Sequence, residues 1–327
     1  MCCALRLWLV WILIMRSSAI WSIIFLWASV PTLDAHPMML ARIVGDWIEI
    51  AGDPDLGKLT DPKQQPVDFA IWQATDGTWQ LWSCIRGTKT PGKTRLFHAW
   101  ESPELMRPNW RGKGIAMESD ERYGETPGGL QAPHVISISN IFQMFYGDWE
   151  NICAATGTDG KLFTRRVTDN GLAGMFTEGK GSNTRDPMVI NINGKWHCYY
   201  TAFPNREGAV YCRTGSDTRQ WSDSKIVAFG GEAGTNAFSA ECPFVVELTR
   251  GEFYLFRTQR YGSNAISRIY HSHDPLQFGI NEDSKYLVGS LPAAAPELIM
   301  KNGQWYIAAL APSLKGIRLA RLEWQPK

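Results

Sequence analysis

Short runs of alternating apolar and polar residues dominate the chain after residue 35. The runs are rich in Val, Ile, Tyr, Phe and Trp, and polar turn residues separate them, which is the pattern of β-strands. In the same part of the sequence, no window of about 11–18 residues places its apolar residues at a helical spacing. The pattern therefore predicts an all-β protein.

Five segments share one outline, in which a strand after a Pro-centred turn is followed by a polar turn and an aromatic-rich strand. The paired segments are 67–72 with 78–84, 132–136 with 141–146, 186–190 with 195–201, 242–246 with 252–257, and 295–299 with 304–309. Successive prolines of the last four units, at 133, 187, 243 and 296, are 54, 56 and 53 residues apart. Phe69 holds the equivalent place in the first unit.

This repeat predicts a single-domain, five-bladed β-propeller over residues 36–327, with the first strand of each blade lining the axis. A β-sandwich would not explain why the same turn recurs at the same place in every unit. We expect residues 41–50 to add an outer strand that helps to close the ring, and residues 111–130 to form a surface loop of blade one.

The first 35 residues differ from the rest. Residues 7–15 and 17–30 are apolar, with Arg16 between them, and each run is shorter than the roughly 18 residues of a membrane-spanning helix. A start at Met15 would give a regular signal peptide with cleavage near Ala35. We therefore predict an exported protein, secreted or periplasmic, with an N-terminal membrane anchor as the alternative.

Composition narrows the choice of partners. The 33 Lys and Arg residues nearly balance the 32 Asp and Glu residues, so the chain has no basic surplus for nucleic acid. Its 15 Trp residues suit either core packing or the faces of sugar rings. Five cysteines follow the predicted signal, without a zinc-binding spacing. Cys198 and Cys212 flank one predicted hairpin and could pair.

Three carboxylates stand at the start of predicted innermost strands. Asp68 and Asp186 come directly before the turn position, and Glu241 is one residue further upstream. Because inner strands converge on the axis, we expect the three in one pocket. Glycoside hydrolysis needs one carboxylate that attacks or activates water and one carboxylic acid that protonates the leaving oxygen. A third acid can hold sugar hydroxyls and raise the pKa of a neighbour.

Two of these acids lie in recognisable motifs. Arg185-Asp186-Pro187 and Glu241-Cys242-Pro243 resemble signature motifs of glycoside hydrolase family 32, the invertase, levanase and inulinase group, in the same order. The resemblance implies that Asp186 stabilises the transition state and that Arg185 helps to hold substrate hydroxyls. It also implies that Glu241 is the acid/base and Asp68 the nucleophile.

The resemblance is incomplete around Asp68. The family-32 motif there reads Trp-x-Asn-Asp-Pro-x-Gly, whereas Phe69 and Ala70 follow the acid here. The related family 43, with arabinofuranosidases and xylosidases, shares the propeller but uses its first Asp to activate water, and it lacks the C-terminal β-sandwich usual in family 32. Retention would place the carboxyls of Asp68 and Glu241 about 5–5.5 Å apart, and inversion roughly 6.5–9.5 Å. The matched motifs favour retention.

Further polar and aromatic residues are candidates for sugar binding. They are His134, Gln131, Trp82 and Tyr261, together with Trp72 and Trp149. His134 could also contact a water-ligated cation, or be an ordinary turn residue. No cofactor is expected, although a structural cation in the axial channel would fit the arrangement.

Together these features predict an exported glycoside hydrolase. Its substrate would be an oligo- or polysaccharide with furanosidic or related O-glycosidic bonds. The alternative is a non-catalytic carbohydrate-binding propeller, in which the altered surroundings of Asp68 have abolished turnover.

Overall fold

Twenty-one β-strands make up nearly all the regular structure of residues 37–327, the part of the chain that the computed structural model describes. The predicted signal or anchor, residues 1–35, lies outside the described residues. Within the described part, the helical segments are one α-helical turn, α1 (Asp283–Tyr286), and five 3-10 turns. None of these is long and apolar enough to cross a membrane.

The strands form five antiparallel sheets, which confirms the predicted five-bladed propeller. The strands of blade one are β2 (Gln65–Gln73), β3 (Trp79–Arg86), β4 (Leu96–Ser102) and β5 (Arg111–Met117). The strands of blade two are β6 (Gln131–Ile138), β7 (Ile141–Gly147), β8 (Ile152–Gly157), β9 (Thr164–Arg166) and β10 (Gly174–Phe176). The strands of blade three are β11 (Arg185–Ile192), β12 (Lys195–Ala202), β13 (Ala209–Gly215) and β14 (Lys225–Ala228).

The last two blades complete the ring. The strands of blade four are β15 (Glu241–Thr249), β16 (Glu252–Arg260), β17 (Ile266–Ser272) and β18 (Leu287–Leu291). The strands of blade five are β19 (Glu297–Lys301), β20 (Gln304–Leu310), β21 (Gly316–Pro326) and, as its outer strand, β1 (Met39–Gly52). The predicted loop at 111–130 is wrong in its first part, which forms the outer strand β5.

Strand β1 closes the ring, as residues 41–50 predicted. It pairs antiparallel with β21, from Met39 opposite Pro326 to Gly52 opposite Gly316. Blade five therefore combines one strand from the start of the described chain with three from its end. Ring closure leaves only short, protected sheet edges.

Each inner strand has the same backbone irregularity close to its start. The angle φ is 40° at Asp68, 41° at Ala132, 56° at Asp186, 48° at Cys242 and 49° at Ala295. In blades one to four this residue lies within a β-bulge, where the inner strand has one residue more than its partner. Such left-handed angles are uncommon outside glycine, and we call these five residues the bulge residues.

Aromatic and aliphatic side chains fill the space between blades. Most of the blade-one tryptophans are buried there: Trp72, Trp79, Trp82, Trp100 and Trp110. The thiols of Cys84, Cys153, Cys198, Cys212 and Cys242 are all free. Cys198 and Cys212 therefore form no disulfide, because in the register of β12 and β13 they face Arg213 and Tyr199 rather than each other.

Candidate active site

A cavity of about 230 Å³ opens at the end of the axis where the inner strands begin. Twelve residues line it: Asp68, Arg86, Arg95, Gln131, Trp149, Asn183, Arg185, Phe203, Ala237, Phe238, Glu241 and Tyr261. Below it, a narrower space of about 20 Å³ runs along the axis, with Asp68 and Asp186 in its wall. That volume holds about one water molecule. Asp68 lines both spaces and so lies at their junction.

The bulges explain why Asp68 and Asp186 meet. Each is the bulge residue of its inner strand, in blades one and three, and a bulge re-aims the side chain of its extra residue. One carboxylate oxygen of each lies within 4.8 Å of the other and of Cys242 Sγ. Glu241 precedes the bulge of blade four and lines the open cavity.

Cys242 connects the two aspartates. Its backbone N–H donates to Asp186 Oδ2 at 3.0 Å, and its Sγ donates to Asp68 Oδ1 at 3.2 Å. Burial raises the pKa of this thiol well above its ordinary value, so the sulfur keeps its proton for that bond. The hydroxyl of Tyr261 lies 3.3 Å from the same sulfur. The cysteine thus positions both acids.

Burial also changes the protonation of the aspartates. It raises the pKa of Asp186 to about 7, against the opposing charge of Arg185 and with support from Asp68. Burial, followed by the charge of Glu241, raises the pKa of Asp68. Two neighbouring buried carboxyls resist ionising together. The pair can therefore carry a proton near neutral pH, while one member stays charged.

Arg185 directs its donors to protein acceptors. Its Nη2 donates to Glu241 Oε1 at 2.8 Å and to the carbonyl oxygen of Ala237 at 2.7 Å. Its Nη1 donates to the carbonyl oxygen of Asn183, and its Nε lies 3.7 Å from Asp186. The side chain is only 4% exposed. The geometry thus lets Arg185 position the acids. Because Arg185 also lines the cavity, the contact with substrate hydroxyls that the resemblance implied stays a prediction.

Several acceptor oxygens at the site are buried without a hydrogen-bond partner among the described residues. They are Gln131 Oε1, Asn183 Oδ1 and Asp186 Oδ1. Buried polar atoms are nearly always paired in folded proteins. Three unpaired acceptors in one site are therefore suited to a ligand that brings several hydroxyl donors.

Two of the predicted sugar-binding residues, Trp82 and His134, do not line the cavity. Trp82 packs edge-on against Trp72 and Phe163 in the core, with ring centroids 6.1 and 5.3 Å away. His134 points to the next blade, where its Nε2 donates to the carbonyl oxygen of Val189 at 3.1 Å. Burial lowers the pKa of His134 to about 4, which keeps the ring neutral. Both positions are explained by packing between blades.

Two arginines of the cavity are functional candidates that the sequence pattern did not single out. Arg86 donates to the neutral side chain of Gln65, and Arg95 lies 4.8 Å from the ring centre of Trp149. Neither arginine forms an ion pair with a described residue. The hairpin between β3 and β4 brings both to the cavity, and no local sequence signal indicates which way that hairpin points.

A cation bound on the axis beside the aspartates would have few protein ligands. Asp68, Asp186 and Cys242 are the described site residues whose donor atoms lie close enough together. A buried thiol that keeps its proton is a poor ligand. The predicted structural cation of the axis therefore stays a prediction.

Comparisons with known proteins agree with this architecture. Residues 72–307 match the model of the glycosyl hydrolases family 32 N-terminal domain. A curated relative, described as a probable sucrose-6-phosphate hydrolase of Vibrio cholerae, is 22% identical over 204 residues. The match covers 56% of this chain but 37% of the relative, so this chain spans little more than a third of that protein's length.

Solved structures share the fold. A thermostable family-43 glycoside hydrolase superposes with a TM-score of 0.61 at 15% identity, covering 80% of this chain and 90% of the other. A family-32 β-fructofuranosidase of Bombyx mori gives a TM-score of 0.56 at 15% identity, covering 84% of this chain and 61% of the other. At such low identity the likeness establishes the propeller alone.

Proposed function

This chain belongs to glycosyl hydrolase family 32, and we propose that it hydrolyses an O-glycosidic bond of a furanosidic sugar with Asp68, Asp186 and Glu241. The observation that carries the proposal is that Asp68 lies at the junction of two spaces, with Glu241 in the wall of the cavity, Asp186 in the wall of the narrow axial space, and unpaired buried acceptors around them. A non-catalytic sugar-binding protein has no need of two aspartates whose pKa values are raised by burial.

In the proposed reaction, an ionised Asp68 attacks the anomeric carbon and forms a carbon–oxygen bond while the bond to the leaving oxygen breaks. Glu241 gives its proton to that oxygen, with Oε2 available because Arg185 contacts Oε1. Water then attacks the anomeric carbon, Glu241 takes back a proton, and Asp68 is released.

Asp186 would hold the substrate rather than react. With Asp68 ionised, the proton shared by the pair resides on Asp186, whose Oδ1 has no partner among the described residues. This oxygen can then accept a hydrogen bond from a sugar hydroxyl as positive charge develops at the anomeric carbon. Such contacts strengthen in the transition state and lower the barrier.

We further propose that the natural substrate carries an anionic group. Arg86 and Arg95 line the cavity with no carboxylate of the described residues within ion-pair distance, although their charges oppose the rise in the pKa of Asp68. Lys93 lies beside them, 4.5 Å from the ring centre of Trp149. Arginines without such partners are well suited to bind phosphate or carboxylate. The sugar phosphate in the description of the Vibrio relative supports the same substrate class.

The activity is tested by incubating the full chain with sucrose, sucrose-6-phosphate, fructans, arabinans and xylo-oligosaccharides and measuring released reducing sugar. Release from one of them, absent in Asp68→Ala, is expected. Binding to a sugar without any turnover would favour the carbohydrate-binding alternative instead. Proton NMR of the first-formed anomer then tests the role of Asp68, because an inverted product would make it the base that activates water.

The anionic substrate is tested separately with Arg95→Ala. A lost charge-assisted hydrogen bond is expected to raise KM for the phosphorylated sugar by about 10–100-fold. KM for the neutral sugar should stay within about twofold, because no charged contact is lost. Arg111→Ala, an exposed arginine of β5, is the matched control. Equal losses on both substrates would contradict the anionic group without touching the hydrolase proposal.

A further inference from the structure

Three metal-ligating side chains meet at the end of blade four that lies away from the cavity. Strand β15 begins at Glu241 beside the cavity and ends at Thr249, and β16 starts back from Glu252. Strand β17 then returns in the same direction as β15 and ends at Ser272. Glu252 and the residues around Ser272 therefore share the far end of the blade.

The strand register places all three on one face. Phe253 pairs with Ser272, so Glu252 lies beside His273, and the alternation of a strand puts His271 on the same side as His273. His271 Nε2 lies 2.5 Å from Glu252 Oε2, and His273 Nδ1 lies 3.1 Å from Glu252 Oε1. One donor atom from each residue lies within 4.8 Å of the other two.

We propose that His271, His273 and Glu252 bind one divalent transition-metal ion, with Zn²⁺ as the expected physiological choice. Two imidazoles and one carboxylate form a typical three-ligand zinc set, which leaves a fourth position for water. The two imidazole nitrogens exclude Ca²⁺ and Mg²⁺ as preferred occupants, because those ions select oxygen ligands.

The exposure of the three side chains suits an ion that enters from solvent. His271 and Glu252 are 10% and 12% exposed, whereas His273 is 76% exposed. Two ligands are therefore held by the fold, and the third can move to complete the site. Among the described residues, Glu252 has no lysine or arginine within ion-pair distance, so no fixed cation competes for its charge.

The site adjoins the ring closure. The ring of His271 lies 4.8 Å from that of Tyr254, which lies 4.8 Å from that of Trp324 on β21. The hydroxyl of Tyr254 also accepts a hydrogen bond from the backbone N–H of Met39, at the start of β1, at 2.8 Å. A metal ion that fixes His271 would thereby stabilise the contact between blade four and the closing strands.

The test uses the purified full chain after treatment with a chelator. Titration with Zn²⁺ by calorimetry should show one ion bound per chain, and Co²⁺ should give the visible absorption of a low-coordinate nitrogen and oxygen site. With Zn²⁺ at a hundredfold excess over Kd, Tm should rise by roughly 5 °C.

The variant His273→Ala removes a ligand that is largely exposed, so it should fold normally while its affinity falls at least about tenfold. Arg250→Ala, an exposed neighbour in the same hairpin, is the control and should bind as the parent does. If the metal bound elsewhere in the chain, its affinity would be the same in His273→Ala as in the parent.

Unchanged affinity in His273→Ala would therefore overturn the proposal. So would saturation only at millimolar Zn²⁺, or a Tm that depends on pH but not on the metal. The last result would identify the cluster as a His–Glu hydrogen-bonded pair without an ion.

Discussion

Blades two and three have the same backbone at the start of their inner strands but carry different side chains there. Ala132 in blade two and Asp186 in blade three both adopt a left-handed φ, within equivalent bulges. Blade five repeats the feature with Ala295, and blade one with Asp68. The strained conformation therefore belongs to the propeller, and not to catalysis.

That difference separates two energetic contributions. A non-glycine residue in a sparsely populated backbone region costs of order 1–3 kcal/mol, and every blade carries that cost. Only in blades one and three is the bulge residue itself a buried carboxylic acid whose pKa burial raises. Blade five has its own such carboxyl on Glu297, two residues beyond Ala295, in the wall of the same narrow axial space. The strain thus cannot mark the site by itself, whereas the buried acids can.

The largest effect is expected from Asp68→Ala, which gives blade one the bulge side chain of blades two and five. Loss of the proposed nucleophile should reduce kcat at least about a thousandfold. Thermal unfolding should show an intact fold, because alanine already adopts the same left-handed conformation at Ala132 and Ala295. The exposed Asp223→Ala is the control, and substantial activity in Asp68→Ala would remove Asp68 from the mechanism.

Glu241→Gln makes blade four resemble blade two, where Gln131 holds the position before the bulge. Loss of the proton donor should lower kcat on a natural glycoside by about 10²–10⁴-fold. The loss should shrink for activated substrates whose leaving group departs without a proton. Substrate binding should change little, since the amide oxygen can still accept from Arg185. Wild-type kcat on a natural glycoside would show that Glu241 is not the acid.

Asp186→Asn tests the cost of the buried charge. The folded-state pKa of about 7 exceeds the ordinary 3.8, so the wild-type fold loses stability as pH rises from about 4 to 7. Because the variant cannot ionise there, its fold should be more stable than that of wild type at pH 8, by up to about 4 kcal/mol. At pH 3.5 the difference should largely vanish. Denaturant unfolding at both pH values measures the difference in unfolding free energy between variant and wild type. The same difference at pH 3.5 and pH 8 would contradict the raised pKa of Asp186.

The smallest effect is expected from Ala132→Gly, which relieves backbone strain without changing chemistry. Glycine tolerates a left-handed φ, and the net gain in unfolding free energy should be at most about 1 kcal/mol. Ala154→Gly, in the regular strand β8, should instead lower it by about 0.5–1 kcal/mol. The same sign for both variants would mean that the bulge of blade two is unstrained.

Much of the fold could be predicted because every unit of the repeat has the same local turn followed by the same strand pattern. The turn before each inner strand fixes the bulge, so Asp68, Asp186 and Glu241 could be placed at the start of inner strands from sequence alone. The closing strand was also predictable, since residues 41–50 alternate like an outer strand. The prediction of a loop at 111–130 was wrong in part because an exposed, glycine-containing strand such as β5 lacks an apolar pattern.

The remaining features depend on which face of a strand meets which neighbour. Trp82 and Trp149 are both sugar-binding candidates by sequence, yet one packs between blades and the other lines the cavity. His134 lies on an inner strand, as predicted, but its side chain points to Val189 of the adjacent blade. Arg86 and Arg95 reach the cavity through one hairpin, whose direction no local pattern encodes. Such contacts between blades are non-local, and the repeat does not specify them.

The pairing of β1 with β21 also bears on how the chain folds during synthesis. Among the described strands, β1 is synthesised first and its partner β21 last. Until then β1 has an unpaired edge, which is a hazard for aggregation. The contact between Met39 and Pro326 is among the most distant in sequence, and such contacts slow folding. Closing the ring should therefore be the last step, so a folding helper that shields β1 would increase the yield of native protein without altering its final stability.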